Sequence, residues 1–485
     1  MDIGRLEELE FLERRYKSTS SQLVLLYGRK RLGKTEVLCK FCEGKAHIYY
    51  ACQEISDRWQ LKWFSEKLLN EKISASAYIQ QFDDWEKAFR AILELPYHEA
   101  KKLVVIDEFP YMCKNNPSIP SILQNLWDEI LKDSNVMLIL CGSAMSFIEK
   151  DLLAEKNPLY GRATGIYKMT EMNFYEASQF FPNYSDEDKV LTYSILGGIP
   201  HYLRQFNSNM SLSDNIKQNI LSKGCALYTE VDFLLKQELR ETAIYNSIIE
   251  AVAMGSTRLN EISQKSWVEN SAKTGVYLKN LIELGLVERE FSVDAGVQER
   301  IKPNRGIYHL TDNYFRFWYA FVYSHYSELE TGDVDGVYNY VVAPQLHQFA
   351  SFTFEDICRQ YMQRLQKENK LPFRFSKMGR WTGKTTVRDK SSDAGYRVAE
   401  TEIDILALSQ DKKKTLVGEC KFKKTAFNYS EYLDVSAKLT PLKAQSEFYY
   451  ALFSQSGFDD LLQKQAESDD HLTLYSLDSI VKGIV

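Results

Sequence analysis

The sequence predicts an α/β protein, and three observations carry that prediction. Strand-length apolar runs at residues 22–27, 47–50, 103–106 and 136–140 alternate with amphipathic segments, the pattern of βαβ units around a buried parallel sheet. The first run leads into a glycine-rich turn and then a helical segment, the context of a phosphate-binding loop. A second stretch of α/β patterning fills residues 340–485, so one sheet does not account for the 485-residue chain.

Taken in order, residues 1–170 form the expected parallel-sheet core, and residues 171–237 a helical lid punctuated by Gly197-Gly198-Ile199-Pro200. Residues 238–325 read as a winged helix-turn-helix: a helix over 243–254, a short helix over 259–263, a third over 272–286, and a β-rich return ending at 307–310. The aromatic run at 314–321 has the density of a packed helix. Residues 326–339 are more polar, hold two glycines, and predict a linker. The last α/β domain occupies 340–485.

Composition narrows the function classes. Apolar residues are 44% and charged residues 26% of the chain, which excludes a disordered or collagen-like polymer. A net charge of −6 argues against a wholly basic nucleic-acid coat and leaves local basic patches open. The sequence has no apolar run of about 18 residues and its charged N-terminus lacks a signal-peptide core, so a cytoplasmic protein with no membrane partner is expected. The eight cysteines are scattered and read as reduced thiols, and the Cys39/Cys42 pair, on one helix, reads as core packing.

The sharpest local signal is Gly28-Arg29-Lys30-Arg31-Leu32-Gly33-Lys34-Thr35. Glycines let such a loop turn its N–H groups inward, and the following helix N-terminus favours phosphate. The Lys34 ammonium is expected on the β- and γ-phosphates of a nucleotide, and the Thr35 hydroxyl on Mg²⁺. A second apolar strand ends in Asp107-Glu108, which supplies one carboxylate for the metal shell and one to orient or deprotonate a water. Ser143, after the strand at 136–140, is a candidate γ-phosphate sensor. Arg162 is a candidate guanidinium for the transferring phosphoryl group, in the same subunit or a neighbouring one. Both residue types suit a plain loop equally well.

A second cluster lies on a hairpin. With the turn centred between Asp411 and Lys412, Asp404 falls opposite Glu419 and Glu402 opposite Lys421, all on one face, while Ile403 and Ile405 point to the other. Adjacent carboxylates are unfavourable without a cation between them, so Mg²⁺ or Mn²⁺ held by Asp404 and Glu419 is one reading. Lys421 would orient water or stabilise phosphate charge, and Glu355 would add a carboxylate from a helix. A solvated hairpin of mixed charge is the other reading. Six lysines against two acids between 411 and 424 favour a phosphate-rich partner.

Leu26 to Thr35, Val105-Ile-Asp107-Glu108-Phe-Pro110, Leu159-Tyr-Gly-Arg162 and Leu196-Gly-Gly-Ile-Pro-His-Tyr-Leu203 together resemble the archaeal-type ATPase family, of the STAND class of AAA-like P-loop NTPases. Gly379-Arg-Trp381, Glu402-Ile-Asp404 and Gly418-Glu-Cys-Lys421 look like the C-terminal region that accompanies this ATPase, which is similar to PD-(D/E)xK, or restriction-endonuclease-like, domains. The resemblance implies ATP and Mg²⁺ at Lys34 and Thr35, hydrolysis at Asp107 and Glu108, and a nucleotide-responsive element at Gly198 and Pro200. It also implies nuclease roles for Glu355, Asp404, Glu419 and Lys421. The leading expectation is an ATP-driven switch that controls a metal-dependent nuclease-like domain on DNA. The alternative is a regulatory or scaffolding ATPase whose winged helix binds protein or a second subunit and whose nuclease-like domain is silent.

Overall fold

Strand β1 (Gln22–Tyr27) is apolar along almost its whole length and buried along all of it, as a central parallel strand must be. In the computed structural model, which describes residues 4–97, 101–155, 157–239, 241–302, 305–388, 396–438 and 446–483, it joins four others. These are β2 (His47–Ala51), β3 (Lys102–Asp107), β4 (Val136–Gly142) and β5 (Gly165–Lys168), in the order β2-β3-β4-β1-β5. Every pairing is parallel. The strand β4 therefore lies between the strand that feeds the glycine loop and the strand that ends in Asp107.

By compactness the chain divides into two units, Met1–Glu171 with Ile199–His201, and Met172–Gly198 with Tyr202–Val485. The first holds the parallel sheet. In the second, helices Thr242–Ala253, Leu259–Lys265 and Ser271–Glu283 precede an antiparallel pair, β6 (Val287–Glu290) and β7 (Ile307–Leu310), in the order the sequence predicts. The aromatic run is buried, with Tyr314, Phe315, Phe317, Trp318 and Tyr319 fully enclosed.

The expected linker is not one. Residues 326–339 carry the short helices Tyr326–Glu330 and Val334–Val337, and Leu329 and Val337 are buried. These two apolar side chains anchor a segment whose polarity suggested an open tether. Cys39 is likewise exposed while Cys42 is buried, so only the second thiol packs in the core. Among the described residues no helix is long and apolar enough to cross a membrane.

The C-terminal sheet follows the long helix Ala343–Lys367. It contains β8 (Phe375–Arg388), β9 (Tyr396–Ser409), β10 (Lys414–Lys421), β11 (Glu447–Ser454) and β12 (Leu472–Ser476), ordered β12-β11-β10-β9-β8. The pairs β8/β9 and β9/β10 are antiparallel, whereas β10/β11 and β11/β12 are parallel, connected by helices Tyr429–Lys438 and Asp460–Ser468.

Gly198 passes against the backbone of Met172, and a Cβ there would lie 1.8 Å from the Met172 carbonyl oxygen. Gly198→Ala is expected to cost about 1–3 kcal/mol or more through overpacking, read as a drop in thermal midpoint. Gly275→Ala serves as the control. Gly275 sits inside helix Ser271–Glu283 with nothing near its missing Cβ, so that change should raise stability by about 0.5–1 kcal/mol.

Candidate functional site

The glycine loop is shaped by two positive backbone angles, φ 73° at Arg31 and φ 83° at Gly33. Gly33 caps helix Lys34–Cys42, so the N–H groups of that helix's first turn are available to an anion. Gly28 lies so close to Met169 that a Cβ would come within 2.5 Å of its carbonyl oxygen, which explains why no larger residue stands there. Lys34 folds back over the loop, its Nζ donating to the carbonyls of Gly28 (2.9 Å) and Arg29 (2.8 Å). Burial lowers its pKa, opposed by the nearby Cys141, Glu108 and Asp107. Leu32 packs into the core, while Arg29, Lys30 and Arg31 line the loop's outer run.

The Thr35 hydroxyl donates to Asp107 Oδ2 at 2.7 Å, so both groups expected to hold a metal ion converge. Tyr49 on β2 donates to the same oxygen at 2.7 Å. Burial first, then the Asp107 charge, push the Tyr49 phenol far above its usual range and keep it a donor. Glu108 follows Asp107 with φ 51°, a left-handed conformation uncommon for a side-chain-bearing residue. Its carboxylate Oε2 accepts from the Ser143 hydroxyl (2.9 Å) and backbone N–H (3.2 Å). Ser143 follows the strand beside Asp107, and its direct contact is with Glu108.

Arg162 is engaged elsewhere. Its guanidinium reaches both oxygens of Asp128, at 2.9 and 3.4 Å, and its side chain is about one-third exposed. A further residue escaped the sequence reading: Arg5 donates to the Leu32 carbonyl of the loop at 2.9 Å and to the Thr170 carbonyl at 2.7 Å, while pairing with Glu8. The sequence signal is an i,i+3 pair of opposite charges, Arg5 and Glu8, before the first strand.

In the second unit the hairpin has the expected register, with Thr415 opposite Leu408 and Gly418 opposite Ile405, while Ile403 and Ile405 are buried. Beyond Gly418 the Asp404 carboxylate accepts the Cys420 N–H at 2.8 Å. Burial first, then the Glu419 charge, raise the Asp404 pKa. Glu419 is 3% exposed; its Oε1 accepts from Lys421 (2.7 Å) and Lys438 (3.5 Å), and its Oε2 is buried with no hydrogen-bond partner. Burial opposes the charge on Lys421, yet Glu419 more than offsets it and the ammonium titrates above its ordinary value.

The expected three-carboxylate cage is not assembled. Among the described residues no three His, Cys, Asp or Glu side chains are arranged to hold a metal ion. The physical reason is Arg380, 8% exposed, whose guanidinium pairs with Glu355 at 2.5 Å, with Glu290 at 3.5 Å, and with Glu402. Glu355 thus answers a fixed cation. Burial, with the Asp404 charge next, raises its pKa to about 7. Glu402, expected opposite Lys421, belongs to Arg380 instead. What remains for a cation is the Asp404–Glu419 pair, and the unpartnered Glu419 Oε2 fits a ligand atom for a divalent ion.

Residues 3–206 match a family described as an ATPase domain predominantly from Archaea, and residues 318–433 match one described as archaeal and bacterial proteins of unknown function. The uncharacterized protein MJECL04 of Methanocaldococcus jannaschii is 33% identical over 425 residues, 87% of this chain and 88% of its own length. The uncharacterized ATP-binding protein MJ0423 of the same organism is 51% identical over 45 residues, 9% of this chain and 76% of its own. A solved Walker-type ATPase of Pyrococcus abyssi superposes with a TM-score of 0.51 at 19% identity, covering 65% of this chain and 95% of that one. This last likeness is one of fold: an α/β architecture with a parallel central sheet.

Proposed function

Because the chain belongs to the family of the Methanocaldococcus jannaschii protein MJECL04 and carries an ATPase domain of the archaeal type, we propose that it is an ATP-hydrolysing switch controlling a nuclease-like domain that acts on DNA. One observation carries the ATPase half: Thr35 and Asp107 meet at 2.7 Å beside a Glu108 carboxylate fixed by Ser143. The loop N–H groups and Lys34 bind the phosphates, and Thr35 and Asp107 fit Mg²⁺. When bound, that ion neutralises charge on the β- and γ-phosphates. Glu108 orients a water and takes its proton, with the Ser143 hydroxyl and N–H fixing the carboxylate through Oε2. Arg162 acts only after leaving Asp128, or toward a neighbouring copy.

The nuclease half rests on the second unit. Its antiparallel-then-parallel sheet suits a PD-(D/E)xK core, with Asp404 and Glu419 for Mg²⁺ or Mn²⁺ and Lys421 beside them. The helix order before β6 and β7 suits a winged helix, whose third helix carries exposed Lys279 and Lys273, the latter 3.6 Å from Glu269, as candidates for DNA phosphates. A second reading is favoured by Arg380: a guanidinium already paired with Glu355 suits a nuclease-like domain that is silent and serves regulation or scaffolding.

One experiment separates them. Purified protein is incubated with supercoiled and linear DNA and Mg²⁺ or Mn²⁺, with and without ATP, alongside Glu419→Ala and Lys34→Ala. Cleavage lost in Glu419→Ala and altered by ATP supports the switch-controlled nuclease. ATP hydrolysis with no cleavage assigns the regulatory reading. Absence of ATP hydrolysis in the parent protein overturns both.

A further inference from the structure

Within the second unit, a cavity of about 490 Å³ is bounded by the end of helix Thr242–Ala253, β7, the aromatic helix and the long helix Ala343–Lys367. Its volume falls in the range of small-molecule sites, roughly 300–1,000 Å³. Ala320, Phe321, Phe349 and Phe352 give it an apolar wall, and Arg316 and His309 are its basic groups.

Arg316 donates to Thr353 Oγ1 at 2.7 Å and to the Phe349 carbonyl at 3.3 Å, and its guanidinium packs 4.4 and 5.0 Å from the ring centres of Phe349 and Phe352. Its Nε is buried without a hydrogen-bond partner, and among the described residues no carboxylate forms an ion pair with it. Burial holds its pKa down to about 10, with Glu355 and Asp356 pulling the other way, so it stays charged at neutral pH. His309 Nδ1 is also buried without a hydrogen-bond partner, 3.9 Å from Glu290, and its Nε2 lies 3.8 Å from Glu288. Burial lowers the imidazole pKa and leaves a neutral ring able to donate one hydrogen bond. A buried cation with an unused donor, walled by phenyl rings, is costly unless an anion completes it.

We propose that this cavity binds a small organic anion, an aromatic or branched aliphatic carboxylate, whose acid group engages Arg316 and His309 and whose apolar body lies against Phe321, Phe349 and Phe352. Charge selects the head group and the phenyl wall selects the body.

The test is calorimetric titration of the full chain with naphthalene-2-carboxylate and with its neutral amide. One site per chain is expected, with the carboxylate bound at least about tenfold tighter than the amide, the difference one charged hydrogen bond makes. Arg316→Gln removes the charge. Ala320→Phe fills the cavity while keeping Arg316, and covers the case in which Arg316→Gln does not fold. Each should weaken the carboxylate by about tenfold or more, with ATP hydrolysis unchanged in Ala320→Phe as the folding control. Equal affinity for the amide, full affinity in Ala320→Phe, or no saturable binding at millimolar carboxylate overturns the proposal.

Discussion

Lys34→Ala is expected to lower ATP affinity by on the order of 100-fold and to take hydrolysis with it. In the proposed site the ammonium supplies charged hydrogen bonds to phosphate, each contributing about 1.5–3 kcal/mol, and every 1.4 kcal/mol is tenfold in affinity. Lys34 already stands over the loop, held by the Gly28 and Arg29 carbonyls, so it is organised before nucleotide arrives. Its loss removes both the contact and that organisation. Titration with a fluorescent ATP analogue reads the affinity, and circular dichroism checks that the fold is kept. Retention of parental affinity within about threefold, less than one charged hydrogen bond supplies, would remove Lys34 from the phosphate site.

Arg380→Met is expected to cause the largest loss of stability in the second unit, about 3–5 kcal/mol, the usual cost of stripping one partner from a buried ion cluster. Methionine keeps the length of the stem and deletes the charge. Glu355 and Glu290 then lose their ion-pair partner, although the Arg359 charge still acts on both. Glu402 is about half exposed, so water screens its share and it contributes less. Urea melts of the full chain read the change. Arg380→Met combined with Glu355→Gln should recover part of it, because the amide no longer needs the guanidinium. A variant that melts like the parent would show that the cluster contributes nothing to stability.

Much of this was legible beforehand, for identifiable reasons. Strands β1, β3 and β4 are mostly apolar runs because both faces of a parallel sheet are covered, whereas the edge strand β2 alternates buried and half-buried residues. The β9–β10 register followed from the turn and the alternation of Ile403, Asp404 and Ile405. By contrast β5 is four residues long with Ile166 half exposed, too short and too mixed to stand out. Arg380 was invisible as a partner because its three glutamates come from β6, the helix Ala343–Lys367 and β9, a convergence that only tertiary structure creates. Arg162 pairs with Asp128, 34 positions away, for the same reason. Spacing reports neighbours on one element and is silent about neighbours across several.

The return of Ile199–His201 to the first unit bears on the order in which this chain is made. Pro200 lies 3.8 Å from where a Gly33 Cβ would sit, so one wall of the glycine loop is supplied about 165 residues after the loop itself. On the ribosome the five strands of the parallel sheet can pair once residue 168 has emerged, yet the loop stays open on that side until residue 201 follows. A fragment cut at residue 171 would carry every strand of that sheet and still lack the Pro200 neighbour of its glycine loop.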